Sequence, residues 1–178
     1  LPLVADIHFR PDLALAAVAA GAAGVRVNPG TWNDRGHLRR LARAAAAAGA
    51  VVRVGGNAGS PSRRALRHPD GVEAGLVADV VDTAARLADA GLGAIKVSLK
   101  SSRPDALVRL NQGLAAAGNW PLHLGLTEAG PYPEGEARSA AALAILLAAG
   151  LGDTIRISLA ADPVLEVRAA HRLLRALG

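Results

Sequence analysis

The chain has no cysteine and no methionine. Without thiols it can form no disulfide, give no thiolate to zinc and ligate no cysteine-bound iron–sulfur cluster. Aromatic residues are 2% of the total, too few for the stacking platform that readers of RNA or single-stranded DNA use. Lysine is almost missing: Lys96 and Lys100 are the only two among the 20 Lys and Arg residues. No apolar run is long enough to span a bilayer and no signal-peptide pattern is visible, so a cytoplasmic protein without membrane or nucleic-acid partners is expected.

What is present is alanine, leucine, valine, glycine and arginine. Hydrophobic residues make up 51% of 178 residues, with a formal charge of +5. That length gives one domain with a substantial core, residues 1–178. The isoelectric point near 10.9 suits a nucleic-acid binder in principle, but the arginines are scattered, and an anionic small molecule fits better. The chain opens on Leu1 rather than Met, already in a strand-like run, and stops after a helical pattern. It is expected to be part of a longer protein.

One unit recurs along the chain: a short β-branched or leucine-rich run, a polar loop, then an Ala/Leu-rich helical stretch ending in glycine. The runs are 3–7, 24–28, 50–55, 94–99, 121–126 and 153–159, and the helical stretches end at Gly21, Gly49, Gly91, Gly118 and Gly150. Glycine ends helices because it enters the left-handed region without a Cβ penalty. Alternation of strand and helix means parallel strands with helical crossovers.

Polar residues interrupt these runs at spacings of two or four, which share one face of a strand. Asp6 goes with His8, Arg26 with Asn28, Arg53 with Asn57, Lys96 with Ser98 and Lys100, His123 with Thr127, and Arg156 with Ser158. A doubly wound sheet meets helices on both faces and would bury this row at a cost. A β/α barrel points one face inward and builds its site at the C-terminal strand ends. The predicted class is therefore α/β, a TIM-type barrel. With about six of eight βα units, it is expected to be incomplete, lacking N-terminal strands.

Arg26, Arg53, Lys96 and Arg156 then face one interior, against Asp6 and Glu128, an excess of about two positive charges. Unpaired buried charge is costly. A bound diphosphate would compensate it, with Asn28, Asn57 and Ser158 adding neutral hydrogen bonds. The structural alternative is an interior salt-bridge layer, but repetition on successive strands favours a ligand. Glu128 follows a strand end, where an acid/base residue sits, or it serves as a counterion. His8 and His123 are too far apart in sequence to argue for a metal site, and none is expected. His37, His68 and His171 read as solvent-facing, and 130–139 reads as a loop before a helix.

The blocks LPLVADIHF, VRVNPG, VRVGGNAGS, IKVSLKSS, LHLGLTEAG and GDTIRISLAADPVLEV occur in this order over essentially the whole chain. Together they resemble the barrel domain of the bacterial 4-hydroxy-3-methylbut-2-en-1-yl diphosphate synthases, which depend on flavodoxin or ferredoxin. The resemblance implies an iron–sulfur oxidoreductase of the non-mevalonate isoprenoid pathway. It opens 2-C-methyl-D-erythritol 2,4-cyclodiphosphate reductively to 4-hydroxy-3-methylbut-2-enyl diphosphate. It implies that Arg26, Arg53, Lys96 and Arg156 bind the diphosphate with Asn28, Asn57, Ser98 and Ser158. Asp6, His8, Thr127 and Glu128 would line the reacting end, with Asp6, His8 and Glu128 the catalytic candidates. The family's [4Fe-4S] cluster lies in a C-terminal domain absent from this chain, so these residues alone are expected to bind no cofactor and to be inactive. A homodimer is implied for the full-length protein. The residue pattern by itself also admits another phosphosubstrate barrel enzyme, of pterin-synthase or aldolase type, or a binding module without chemistry. Lys100 receives no contact from the resemblance.

Overall fold

The computed structural model describes residues 1–31 and 34–178. Strands and helices alternate: β1 Val4–Asp6, α1 Pro11–Ala19, β2 Gly24–Val27, α2 Arg35–Ala48, β3 Val51–Asn57, α3 Arg63–Leu66, α4 Val72–Asp89, β4 Ile95–Lys100, α5 Pro104–Ala117, β5 His123–Leu124, α6 Glu134–Ala148, β6 Thr154–Ile155 and α7 Pro163–Leu177. The chain divides into two compact units, Leu1–Ser98 and Leu99–Gly178.

In the first unit the strands lie in the order β1-β2-β3-β4. β1, β2 and β3 are parallel, with Asp6 beside Arg26 and Arg26 beside Arg53 in register. Val25, Val27, Val52, Val54 and Val97 are completely buried, and the polar residues alternate with them, as the period of two requires. Helix α2 starts where Asp34 accepts a hydrogen bond from His37 N at 2.8 Å, and ends at Gly49 with φ 65°. Both are helix-end devices. It buries Leu38, Leu41, Ala42 and Ala45, the spacing of one helix face. Short α3 is pinned to α4 through Ser62, which caps Ala65 N at 2.9 Å and donates to buried Asp79 at 2.5 Å.

In the second unit, β5 and β6 pair in parallel over two residues, His123 with Thr154 and Leu124 with Ile155. This is shorter than the expected runs 121–126 and 153–159. Beyond the paired residues, Arg156 N bonds Leu124 O at 2.9 Å and Thr127 N bonds Ser101 O at 3.0 Å. Leucines build the core: Leu107, Leu110, Leu114, Leu124, Leu126, Leu143 and Leu146 are at most 1% exposed. Each such burial contributes roughly 1.5–3 kcal/mol. Asn111, also buried, donates to Leu99 O at 3.0 Å and Leu107 O at 2.8 Å, tying α5 to the end of β4.

Four of the five helix-ending glycines have positive φ: Gly21, Gly49, Gly91 and Gly150. Gly118 does not; its φ of 177° is extended. Glycine is needed there for space, because a Cβ would run into the Trp120 ring. The segment 130–139 is not all loop either, since α6 begins at Glu134. His37 and His68 are partly covered rather than solvent-facing, each beside an aspartate, Asp34 and Asp70.

Candidate functional site

The first unit carries a cluster built on Arg26. Its neighbours in β2 are apolar and buried, and the residue itself is 8% exposed. Nε and Nη2 donate to Gly55 O at 3.1 and 2.7 Å, and Nη1 donates to Asp6 Oδ1 at 2.9 Å. Nη1 also lies 3.2 Å from His8 Nε2. A guanidinium only donates, so Nε2 can take part in this contact only through its lone pair; the same Nε2 lies 3.5 Å from Asp6 Oδ1. Four of the five N–H donors of Arg26 are then engaged. It can give one hydrogen bond to a ligand without rearrangement.

Asp6 responds to this surrounding. Partial burial is the largest single effect and pushes its pKa up. The hydrogen bond and charge of Arg26, together with the charges of His8 and Arg53, outweigh it and hold the carboxyl below its ordinary value. Gly55 makes the arrangement possible: a Cβ there would lie 2.9 Å from Arg26 Nε and 2.8 Å from Ser98 Oγ. The space a side chain would need at Gly55 is taken by the arginine.

The asparagines shape the loops beyond the strands. Asn28 accepts from Gly30 N at 2.9 Å and donates to Ser60 Oγ at 3.3 Å, and Asn57 accepts from Gly59 N at 2.9 Å. Both turn their side chains back on the backbone, as asparagine does in tight turns.

The two lysines differ. Lys100 is 8% exposed and is engaged within the protein. Lys96 is half-buried, and its ammonium has no hydrogen-bond or ion-pair partner among the described residues. Arg26, Arg53 and Lys96 against Asp6 leave this strand face with an excess of about two positive charges, and Lys96 is a cation left open.

The second unit places its candidates at the ends of β5 and β6. His123 Nδ1 lies 2.8 Å from Thr154 Oγ1, a contact between neighbouring strands rather than a metal ligand set. The buried Nε of Arg156 has no hydrogen-bond partner among the described residues. Ser158 is half-buried two residues on, and Glu128 is exposed with φ 51°. Arg138 was not visible as a site residue in the sequence. From α6 it donates to Ala129 O at 2.8 Å and Ser102 O at 2.9 Å. Among the described residues no three His, Cys, Asp or Glu side chains come together to hold a metal ion, and no helix is long and apolar enough to cross a membrane.

Parallel strands joined by helices, with cations on the polar strand face, define an α/β protein of the barrel type. The chain superposes on YagE, a prophage protein of the dihydrodipicolinic acid synthase family from E. coli K12 in complex with pyruvate, with a TM-score of 0.54. The overlap covers 98% of this chain and 59% of YagE at 12% identity, which concerns the fold alone. The GcpE TIM-barrel domain family matches residues 1–171, and the chain belongs to that family. It is 44% identical over its whole length to the 4-hydroxy-3-methylbut-2-en-1-yl diphosphate synthase (flavodoxin) of Kocuria rhizophila. It is 44% identical to that of Nocardia farcinica and 42% to that of Mycobacterium leprae, over 99% of the chain. In each case it spans 46% of the relative, about half its length. The TIM-barrel class expected from the polar strand faces is thus the class to which the chain belongs.

Proposed function

We propose that this chain is the substrate-binding barrel portion of a flavodoxin-dependent 4-hydroxy-3-methylbut-2-en-1-yl diphosphate synthase. In that reaction two electrons open the ring of 2-C-methyl-D-erythritol 2,4-cyclodiphosphate by breaking a carbon–oxygen bond to phosphate. The observation that carries the reading is the half-buried Lys96 ammonium, open within a unit already rich in cations. A compact ammonium is a point charge suited to phosphate oxygens.

Lys96 and Arg53 would neutralise the diphosphate, with one donor from Arg26 and polar support from Ser98, Asn28 and Asn57. Asp6 and His8 would serve the reacting end by fixing Arg26. In the second unit Arg156, with its open Nε, and Ser158 are the proposed phosphate contacts. Thr127 and Glu128 are the proposed polar residues at the reacting carbon, Glu128 as the proton donor.

A [4Fe-4S] cluster supplies electrons in the proposed reaction. The residues here do not fit one, since the chain has no cysteine; the cluster would be held by a domain outside residues 1–178. A cytoplasmic homodimer receiving electrons from flavodoxin completes the proposal.

Calorimetric titration with the cyclodiphosphate tests it. Binding should weaken by roughly 1.5–3 kcal/mol in Lys96→Ala and in Arg156→Ala, the scale of a charge-assisted hydrogen bond. That is about 10- to 150-fold in Kd. A folded parent chain whose affinity is unchanged by both substitutions contradicts the assignment of these cations to the ligand.

A further inference from the structure

Glu128 follows β5 with φ 51°, a conformation that non-glycine residues seldom adopt and that persists where surrounding structure imposes it. Its side chain is exposed and makes no hydrogen bond or ion pair among the described residues, so packing of the carboxyl does not impose it. The backbone around it does. Thr127 N donates to Ser101 O and Ala160 N donates to Gly130 O, each at 3.0 Å. Between these two bonds, Ala129 O accepts from Arg138 Nη1 at 2.8 Å, while Nη2 of the same guanidinium donates to Ser102 O at 2.9 Å.

We infer that Arg138 is a positioning residue: by fixing the carbonyl next to Glu128 to the loop that follows β4, it holds the Glu128 carboxyl where the reaction needs it. This rests on the role proposed for Glu128 above. The planar guanidinium suits the task, because two carbonyls in fixed relation match its fork and a flexible ammonium matches only one. Arg138 has no carboxylate partner among the described residues, so its charge is stabilised by these carbonyls, and their bonds are of the stronger, charge-assisted kind.

The test uses the full-length enzyme. Arg138→Met keeps the stem and removes both bonds. It should lower kcat roughly 10- to 100-fold while KM for the cyclodiphosphate stays within about twofold, the pattern of a lost interaction that matters only in the transition state. Arg138→Lys should recover part of the loss. Glu128→Gln should lower kcat as well, and adding Arg138→Met to it should cost little more, since coupled residues are not additive. Amide exchange at 127–130 should speed up in Arg138→Met with the rest of the chain unaffected; this readout does not depend on turnover. Unchanged kcat, or losses that multiply in the double variant, would overturn the inference, whatever the exchange shows. If Glu128→Gln is silent while Lys96→Ala still loses the ligand, the role of Glu128 fails, and Arg138 with it, but the binding assignment survives.

Discussion

Gly55→Ala isolates the role of the Arg26 hub. A methyl group at this position would sit 2.9 Å from Arg26 Nε and 2.8 Å from Ser98 Oγ. The serine hydroxyl can rotate away at little cost. The arginine cannot: Nε and Nη2 are bound to the carbonyl of Gly55 itself at 3.1 and 2.7 Å, and Nη1 is bound to Asp6 at 2.9 Å. Making room means lengthening at least one bond from a buried charged donor, which costs about 1.5–3 kcal/mol. For a domain of this size that lowers Tm by roughly 3–12 °C, at about 2–4 °C per kcal/mol. Urea denaturation and thermal melts give both numbers. Asp6→Ala added to Gly55→Ala should cost less than Asp6→Ala alone, because the guanidinium is already displaced. A Gly55→Ala chain within about 0.5 kcal/mol of the parent would refute the reasoning, since surface-like tolerance of that order is incompatible with an immovable arginine.

Two further outcomes follow from the same region. Phe9 is 72% exposed with φ 57°; Phe9→Gly relieves about 1–2 kcal/mol of left-handed strain and loses about 0.5–1 to the greater entropy of unfolded glycine, so a small net gain in denaturant midpoint is expected, and a loss would show that the ring packs. Asp6 is held below its ordinary pKa, so its contribution to stability is complete above pH ~3.8 and is lost as pH falls through the lower folded value. Asp6→Asn should flatten the dependence of the urea midpoint on pH below ~4 and leave a steeper dependence in the parent; equal slopes would contradict the linkage.

Much of this was legible in the residues. The strand cores show as valines alternating with Arg26, Arg53 and Lys96, and that period of two survives in the register of β1, β2 and β3. Helix ends were legible where glycine turns left-handed, as at Gly49. Gly118 misled because it is selected for space beside Trp120, a contact set by the folded chain rather than by local conformation. The same distinction separates the lysines. Lys96 and Lys100 are equivalent in strand phase, yet only the fold shows that one is engaged and the other open. Arg138 and Gly55 were hidden for a related reason: each acts on backbone carbonyls or on a neighbouring side chain, which carry no sequence signature. The excess of cations over carboxylates was readable, but not that Arg26 commits most of its donors internally.

The proposed function requires Lys96 to meet the phosphate of a cyclic diphosphate. A crystal structure of this protein grown with 2-C-methyl-D-erythritol 2,4-cyclodiphosphate tests it most directly. A phosphate oxygen is expected about 2.7–2.9 Å from Lys96 Nζ, the charge-assisted range, with Arg26 still bound to Gly55 O. Ligand density away from β4, with Lys96 turned to solvent, would contradict it.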